Sequence, residues 1–181
     1  GLAILSNLVV KNSGIVQYHH QSPIEDYWRK FIWAEFEHQE NCFLITNTHL
    51  SWKMTDDASR QKQARQLREF VVEKNQPSAL CGDFNCQMGS EPMKEITNHG
   101  FKDSMKGFAD EHLLTWDNTS PMMRFHAKRY PDRRIDLILV NPFFEALYPI
   151  HSCQITLKQT NQDNYCPSDH YGVLTEFKTV P

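Results

Sequence analysis

The chain has 181 residues, of which 40% are hydrophobic, 12% aromatic and 23% charged, with a formal net charge of −3 at pH 7. That balance excludes a disordered chain and supports one domain, residues 1–181, with a sizeable core. The slight acidic excess argues against a broad basic surface for gripping duplex nucleic acid, while leaving room for a local basic patch.

Along the chain, the first residues Gly1-Leu2-Ala3-Ile4-Leu5-Ser6 read as the middle of a strand, with no basic leader and no initiator Met. No apolar stretch reaches the length of a membrane span. Strand-like runs follow near 29–37 and 42–50. The pattern over 57–74 predicts a helix: Asp56 or Asp57 can cap it, and Ala64, Leu67, Phe70 and Val71 share one face. A strand near 78–84 precedes a second short helix over 91–98, which has Ser90 as N-cap, Pro92 in its first turn and Gly100 as its stop. Further strands are expected near 134–140, 148–157 and 171–178. Strands covered by helices are the architecture this order predicts. The five cysteines are odd in number and form no C-x-x-C pair, so reduced thiols in a cytoplasmic protein are expected rather than a disulfide framework or a zinc site.

Four short polar motifs interrupt the apolar runs. An unpaired buried carboxylate costs several kcal/mol, so such intrusions mark strand ends that share a site. The first, Thr46-Asn47-Thr48-His49-Leu50, ends in a histidine that could protonate a leaving oxygen, or simply in a hydrogen-bonded strand cap. In Gly82-Asp83-Phe84-Asn85, strand alternation points Asp83 and Asn85 to one side and Phe84 into the core, and Gly82 permits close backbone approach. The carboxylate can orient and deprotonate water and the amide can hold a phosphoryl oxygen; an Asx turn is the plainer reading. Asp136, inside Arg134-Ile135-Asp136-Leu137, needs a partner: a histidine, or Arg133 or Arg134. Ser168-Asp169-His170 offers a carboxylate for metal and an imidazole for acid–base work, or a solvated loop.

In this order the four motifs resemble the endonuclease/exonuclease/phosphatase superfamily, which includes DNase I, apurinic/apyrimidinic endonucleases, neutral sphingomyelinases, mRNA deadenylases and inositol polyphosphate phosphatases. The resemblance implies an α/β (α+β) fold, a four-layer sandwich of two mixed β-sheets flanked by helices, with the active site at one end. It also implies roles. Asp83 resembles the residue that orients the nucleophilic water and Asn85 the phosphate-binding amide. Asp169 resembles a metal-site carboxylate, and His170 the histidine at the scissile phosphate. Asp136 resembles the carboxylate that orients His170, and His49 the second histidine of the nuclease and sphingomyelinase branches. Trp116 and Asn118 stand where the family places a substrate-facing loop; a turn with a packed Trp is the plainer reading.

The family's early Asn and metal-binding Glu lie upstream of the part that matches Gly1–Ser6, and neither Glu25 nor Glu35 follows their pattern. The chain is therefore expected to correspond to the C-terminal two-thirds of such a domain, with the N-terminal strands missing. The expected activity is hydrolysis of a phosphodiester (in a nucleic acid, a nucleotide or a phospholipid headgroup) with Mg²⁺ or Mn²⁺ as cofactor. A non-catalytic binding domain that keeps the fold, or a phosphomonoesterase, are the alternatives. The segment Arg124–Arg134 is the most basic in the chain and reads as a solvated loop or an aromatic-basic rim. His126 and six other histidines fit no motif and read as surface or packing residues.

Overall fold

The computed structural model describes residues 1–108, 113–126 and 130–179. Two long strands, β2 (Lys30–His38) and β3 (Asn41–His49), form a hairpin closed by Gln39 and Glu40, both at positive φ. That is the turn geometry that matches strand twist. β1 (Val9–Gln17) pairs antiparallel along the outer edge of β2. Helix α1 (Asp57–Lys74) then carries the chain back, so that β4 (Ser78–Asp83) lies parallel to β3. Asp56 caps α1 by accepting from the Ser59 amide at 3.2 Å, and Asn75 ends it in the left-handed conformation. After α2 (Glu91–Thr97) come β5 (Lys102–Asp103) and β6 (Asp136–Val140), and the sheet order is β1-β2-β3-β4-β6-β5. Helix α3 (Pro142–Leu147) leads to a second, two-stranded sheet of β7 (Ile150–Thr156) and β8 (Gly172–Phe177).

The central strands are apolar on both sides because both sides are covered. Leu44, Leu80 and Leu139 pack against Ala64, Leu67 and Val71 of α1 and Met93 and Ile96 of α2. Their neighbours Phe43, Ala79 and Val140 point the other way, onto Phe144 and Tyr148 and toward Ile150 and Phe177 of the second sheet. This is a mixed sheet between a helical layer and a smaller sheet. None of the helices among the described residues is long and apolar enough to cross a membrane.

One expectation is corrected, and one strand is present that the sequence pattern did not predict. Residues 2–6 form no strand: their apolar side chains meet no pairing strand among the described residues, and Ala3 is tied instead through its carbonyl to the Asn47 amide at 2.9 Å. β1 was hidden in the sequence because its alternation is broken by Lys11-Asn12-Ser13-Gly14, and its outer face is exposed at Val9 and Ile15. Its existence depends on the partner strand rather than on its own pattern.

Candidate active site

Three adjacent strands end level with one another. In the β3–β4 pairing His49 stands beside Asp83, and in the β4–β6 pairing Asp83 stands opposite Asp136. Residues in register on neighbouring strands share a face of the sheet, so the three side chains form a row. His49 Nε2 lies 3.4 Å from Asp83 Oδ2. His170, delivered by the loop before β8, completes the group with Nδ1 2.7 Å from Asp136 Oδ2. Ligand atoms of Asp83, Asp136 and His170 all lie within 4.8 Å of one another.

The backbone brings these strand ends unusually close. Gly82 has φ +136°, and a Cβ there would sit 2.0 Å from the Thr48 carbonyl oxygen. No side chain fits that gap, which is why glycine precedes Asp83. Strand alternation stops at Asp83, so Asn85 does not reach the site as the next residue of a strand. It adopts a left-handed conformation, φ 52°, a region that Asn tolerates better than most residues. Its amide N–H donates to Asp83 Oδ1 at 2.8 Å and its side chain donates to the Leu50 carbonyl at 3.0 Å. Phe84 is fully buried beneath.

The electrostatics of the row follow from crowding. Burial and the neighbouring Asp136 carboxylate push Asp83 up to about 7. Burial alone would lower His170, but the hydrogen bond and charge of Asp136, with Asp83 and Asp169, carry it up to about 9. Burial and the positive charges of Arg29 and His170 hold His49 down to about 4. Near neutral pH the row therefore combines a cationic His170, a neutral His49 and a carboxyl poised to exchange a proton. Two carboxyl groups this close, in a partly buried setting, also suit a hard cation, which oxygen ligands bind best.

His49, Asp83, Asn85 and His170 floor a cleft of about 520 Å³, and Asp136 is not among its lining residues. Asp169 and Trp116 line it too. Asp169 lies outside the group of three mutually close ligand atoms; its Oδ2 is 3.0 Å from His126 Nε2. Asn118 is not among the lining residues, because its side-chain amide is spent on the Tyr130 carbonyl and Asp132 Oδ1 at 2.6 and 2.7 Å. Arg134 turns away to pair with Asp103 at 2.5 Å.

The cleft also contains residues that no motif marked. Arg29 is held by the fully buried Glu25 carboxylate at 2.7 Å, and Glu25 Oε1 accepts from the Trp52 amide at 2.6 Å. Tyr27, Trp52, Tyr130 and Arg133 complete its walls. His126, read from sequence as a surface or packing residue, lies in the cleft as well, its ring edge-on to Trp116 at 5.0 Å. Trp116 also meets the His170 ring edge-on at 5.1 Å. The one sequence signal for this wall was the aromatic-basic run from Arg124 to Arg134, whose residues 127–129 lie outside the described part.

The endonuclease/exonuclease/phosphatase family matches residues 1–170. The chain belongs to that family. A comparison with curated protein sequences gives no match. Among solved structures, this family member is similar to D. rerio TDP2 complexed with single strand DNA product, at TM-score 0.74 and 20% identity over 94% of this chain and 68% of that one. It is similar to truncated Caenorhabditis elegans TDP2, at TM-score 0.73 and 17% identity over 94% and 67%. It is also similar to a mannosyl-6-phosphatase from Bacteroides thetaiotaomicron, at TM-score 0.70 and 21% identity over 94% and 67%. At these identities the likeness is one of fold, and the chain spans about two thirds of each of these structures. Endonuclease/exonuclease/phosphatase chemistry is phosphoester hydrolysis, and in this family member His49, Asp83 and His170 line the cleft at the end of the sheet, with Asp136 bonded to His170.

Proposed function

We propose that this chain is the catalytic part of a divalent-metal-dependent phosphodiesterase. The observation that carries the reading is the in-register row of His49, Asp83 and Asp136, with His170 bonded to Asp136 beneath an open cleft. Asp83 accepts a proton from water as the water oxygen bonds to phosphorus in line with the leaving oxygen. Cationic His170, held by Asp136, faces the non-bridging oxygens and stabilises their charge, and Asn85 adds an amide donor. As the bond from phosphorus to the leaving oxygen breaks, His49, neutral near pH 7, donates a hydrogen bond to that oxygen, which takes its proton from solvent. Asp83 and Asp136, whose oxygens lie close together, are carboxylates that would hold Mg²⁺ or Mn²⁺, with Asp169 on the rim of the cleft as a further candidate ligand; when bound the ion would supply Lewis-acid charge neutralisation.

A phosphomonoesterase is the second reading, favoured by the fold shared with the mannosyl-6-phosphatase and by the cationic side chains in the cleft. Hydrolysis of a phosphoester panel with Mg²⁺, Mn²⁺ or EDTA tests both. The panel holds single-stranded RNA and DNA, sphingomyelin, a chromogenic diester and a chromogenic monoester. Metal-dependent diester cleavage that His170→Ala abolishes supports the proposal, and turnover of monoesters alone overturns it in favour of the second reading. Silence on the whole panel, from this chain and from an N-terminally extended one, speaks for a non-catalytic binding domain.

A further inference from the structure

Four arginines of the chain are buried among the described residues: Arg29, Arg60, Arg133 and Arg134. Three of them have a carboxylate. Arg29 has Glu25 at 2.7 Å, Arg60 has Asp57 at 2.5 Å and Arg134 has Asp103 at 2.5 Å. Arg133 has none. It is 8% exposed, and its Nη1 donates only to the Met54 sulfur, at 3.0 Å. Its Nε is buried and meets no acceptor. A thioether is a weak acceptor, so the desolvated guanidinium has no ion pair among the described residues, and the charge of Asp83 acts on it only from beyond ion-pair distance.

The side chain is not there by default of a loose loop. The Arg133 backbone is laddered to Trp116 in both directions, at 2.9 and 3.0 Å, and Thr115 donates to the same Arg133 carbonyl at 3.1 Å. It therefore stands in a fixed place on the wall of the cleft, three residues before Asp136, in a space also lined by Asp83, Asn85 and His170. A buried, rigidly mounted cation with no ion-pair partner among the described residues, facing an open cleft, suits an anion carried by a ligand.

We propose that Arg133 binds a second phosphate of the substrate, flanking the scissile one, and so makes the cleft selective for esters that carry such a group. This rests on the phosphoesterase reading. The scissile phosphate has His170 and Asn85, whereas Arg133 has no ion-pair partner among the described residues and feels the Asp83 carboxylate only through space. Both an internal strand phosphate and a terminal phosphate monoester have the required chemistry.

Three matched substrates test it: the 4-nitrophenyl ester of thymidine 5′-phosphate with a free 3′-hydroxyl, with a 3′-phosphate, and with a 3′-phosphodiester to a second thymidine. Wild type is expected to prefer one or both flanked esters over the unflanked one by about 10-fold or more in kcat/KM, and the favoured arm distinguishes terminal from internal phosphate. Arg133→Gln is expected to collapse that preference to within about 2-fold and Arg133→Lys to keep part of it. For wild type alone, the plot of log kcat/KM against log salt should be steeper for the favoured ester by about one charge contact. That slope is readable even where a variant fails to fold. No preference in wild type, or a preference that Arg133→Gln leaves intact in a folded protein, overturns the inference. Should wild type cleave none of the three, calorimetry with thymidine 3′,5′-diphosphate against thymidine 5′-phosphate decides separately. Tighter binding of the diphosphate that Arg133→Gln removes supports the anion site whatever the fate of the phosphoesterase reading, which the ester panel decides, and equal binding overturns the anion site.

Discussion

Asp83 and Asp136 are direct cross-strand partners at the ends of β4 and β6, two carboxylates facing one another where a sheet ordinarily avoids like charges. The arrangement costs stability: burial, and after it the facing Asp136 carboxylate, make Asp83 hold its proton up to about 7. A carboxyl whose folded pKa lies above its unfolded value of 3.8 gives stability that is complete below about 3.8 and lost as pH rises through about 7. Asp83→Asn is therefore expected to stabilise the chain by about 1–2 kcal/mol at pH 8 and by almost nothing at pH 3.5, while removing hydrolysis. Urea denaturation of both proteins at the two pH values checks this. Equal stability at pH 8 would mean that the two carboxylates do not repel as the register implies.

His170 has the opposite dependence. Its folded pKa, about 9, exceeds the unfolded 6.5, so its stabilisation is complete below about 6.5 and disappears as pH rises through about 9. Because Asp136 supplies the hydrogen bond and the largest of the raising charges, Asp136→Asn is expected to lower the His170 pKa by at least about one unit. Histidine ring NMR across pH 5–10 reads this directly. The same substitution is expected to move the alkaline limb of the pH–rate profile to lower pH, which a purely structural role for Asp136 would not do.

Gly82 is where backbone, rather than side chains, builds the site. With φ +136° and the Thr48 carbonyl 2.0 Å from the position of a Cβ, Gly82→Ala must push β3 and β4 apart at the point where His49 and Asp83 meet. The expected loss is about 3 kcal/mol or more, since it combines overpacking with a conformation that alanine resists. Thermal denaturation measures it. A substitution at Gly89, also at positive φ but with open space around it, serves as the control and should cost only the backbone term.

Much of this was legible in the sequence, and the part that was not has a common cause. Helix α1 matched its expected span of 57–74 because cap, apolar face and length all agreed locally. The row of His49, Asp83 and Asp136 was visible as polar residues at the ends of apolar runs, a signal that burial costs create. What stayed hidden depends on contacts between distant segments. The Arg29 guanidinium is held by Glu25, and Glu25 in turn by the Trp52 and Lys53 amides. Arg133 and Arg134 look alike in sequence, yet one faces the cleft and the other Asp103, because neighbouring residues point to opposite sides. Asn118 looked like a ligand-facing amide and is instead consumed inside its own loop.

The pairing of His126 with Asp169 extends the same argument to the rim. His126 ends the 3₁₀ turn Pro121–Phe125, and its Nε2 meets Asp169 Oδ2 at 3.0 Å while Ser168 Oγ donates to Oδ1 at 3.1 Å. Phe125 stacks on Tyr165 at 5.7 Å, so the two loops are joined by a second contact. Hydrogen bonds of this kind fix the direction of a carboxylate that is to hold a cation, and their loss costs about 10-fold or more in metal affinity. His126→Ala is accordingly expected to weaken Mn²⁺ binding by about 10-fold, and His126→Gln to restore part of it because an amide N–H can reach the same oxygen. Electron paramagnetic resonance titration with Mn²⁺ measures affinity without any turnover. Unchanged affinity in His126→Ala would separate Asp169 from the metal and leave the pair as a clasp between loops, whereas the expected loss, with thermal stability preserved, makes the 3₁₀ turn part of the metal site.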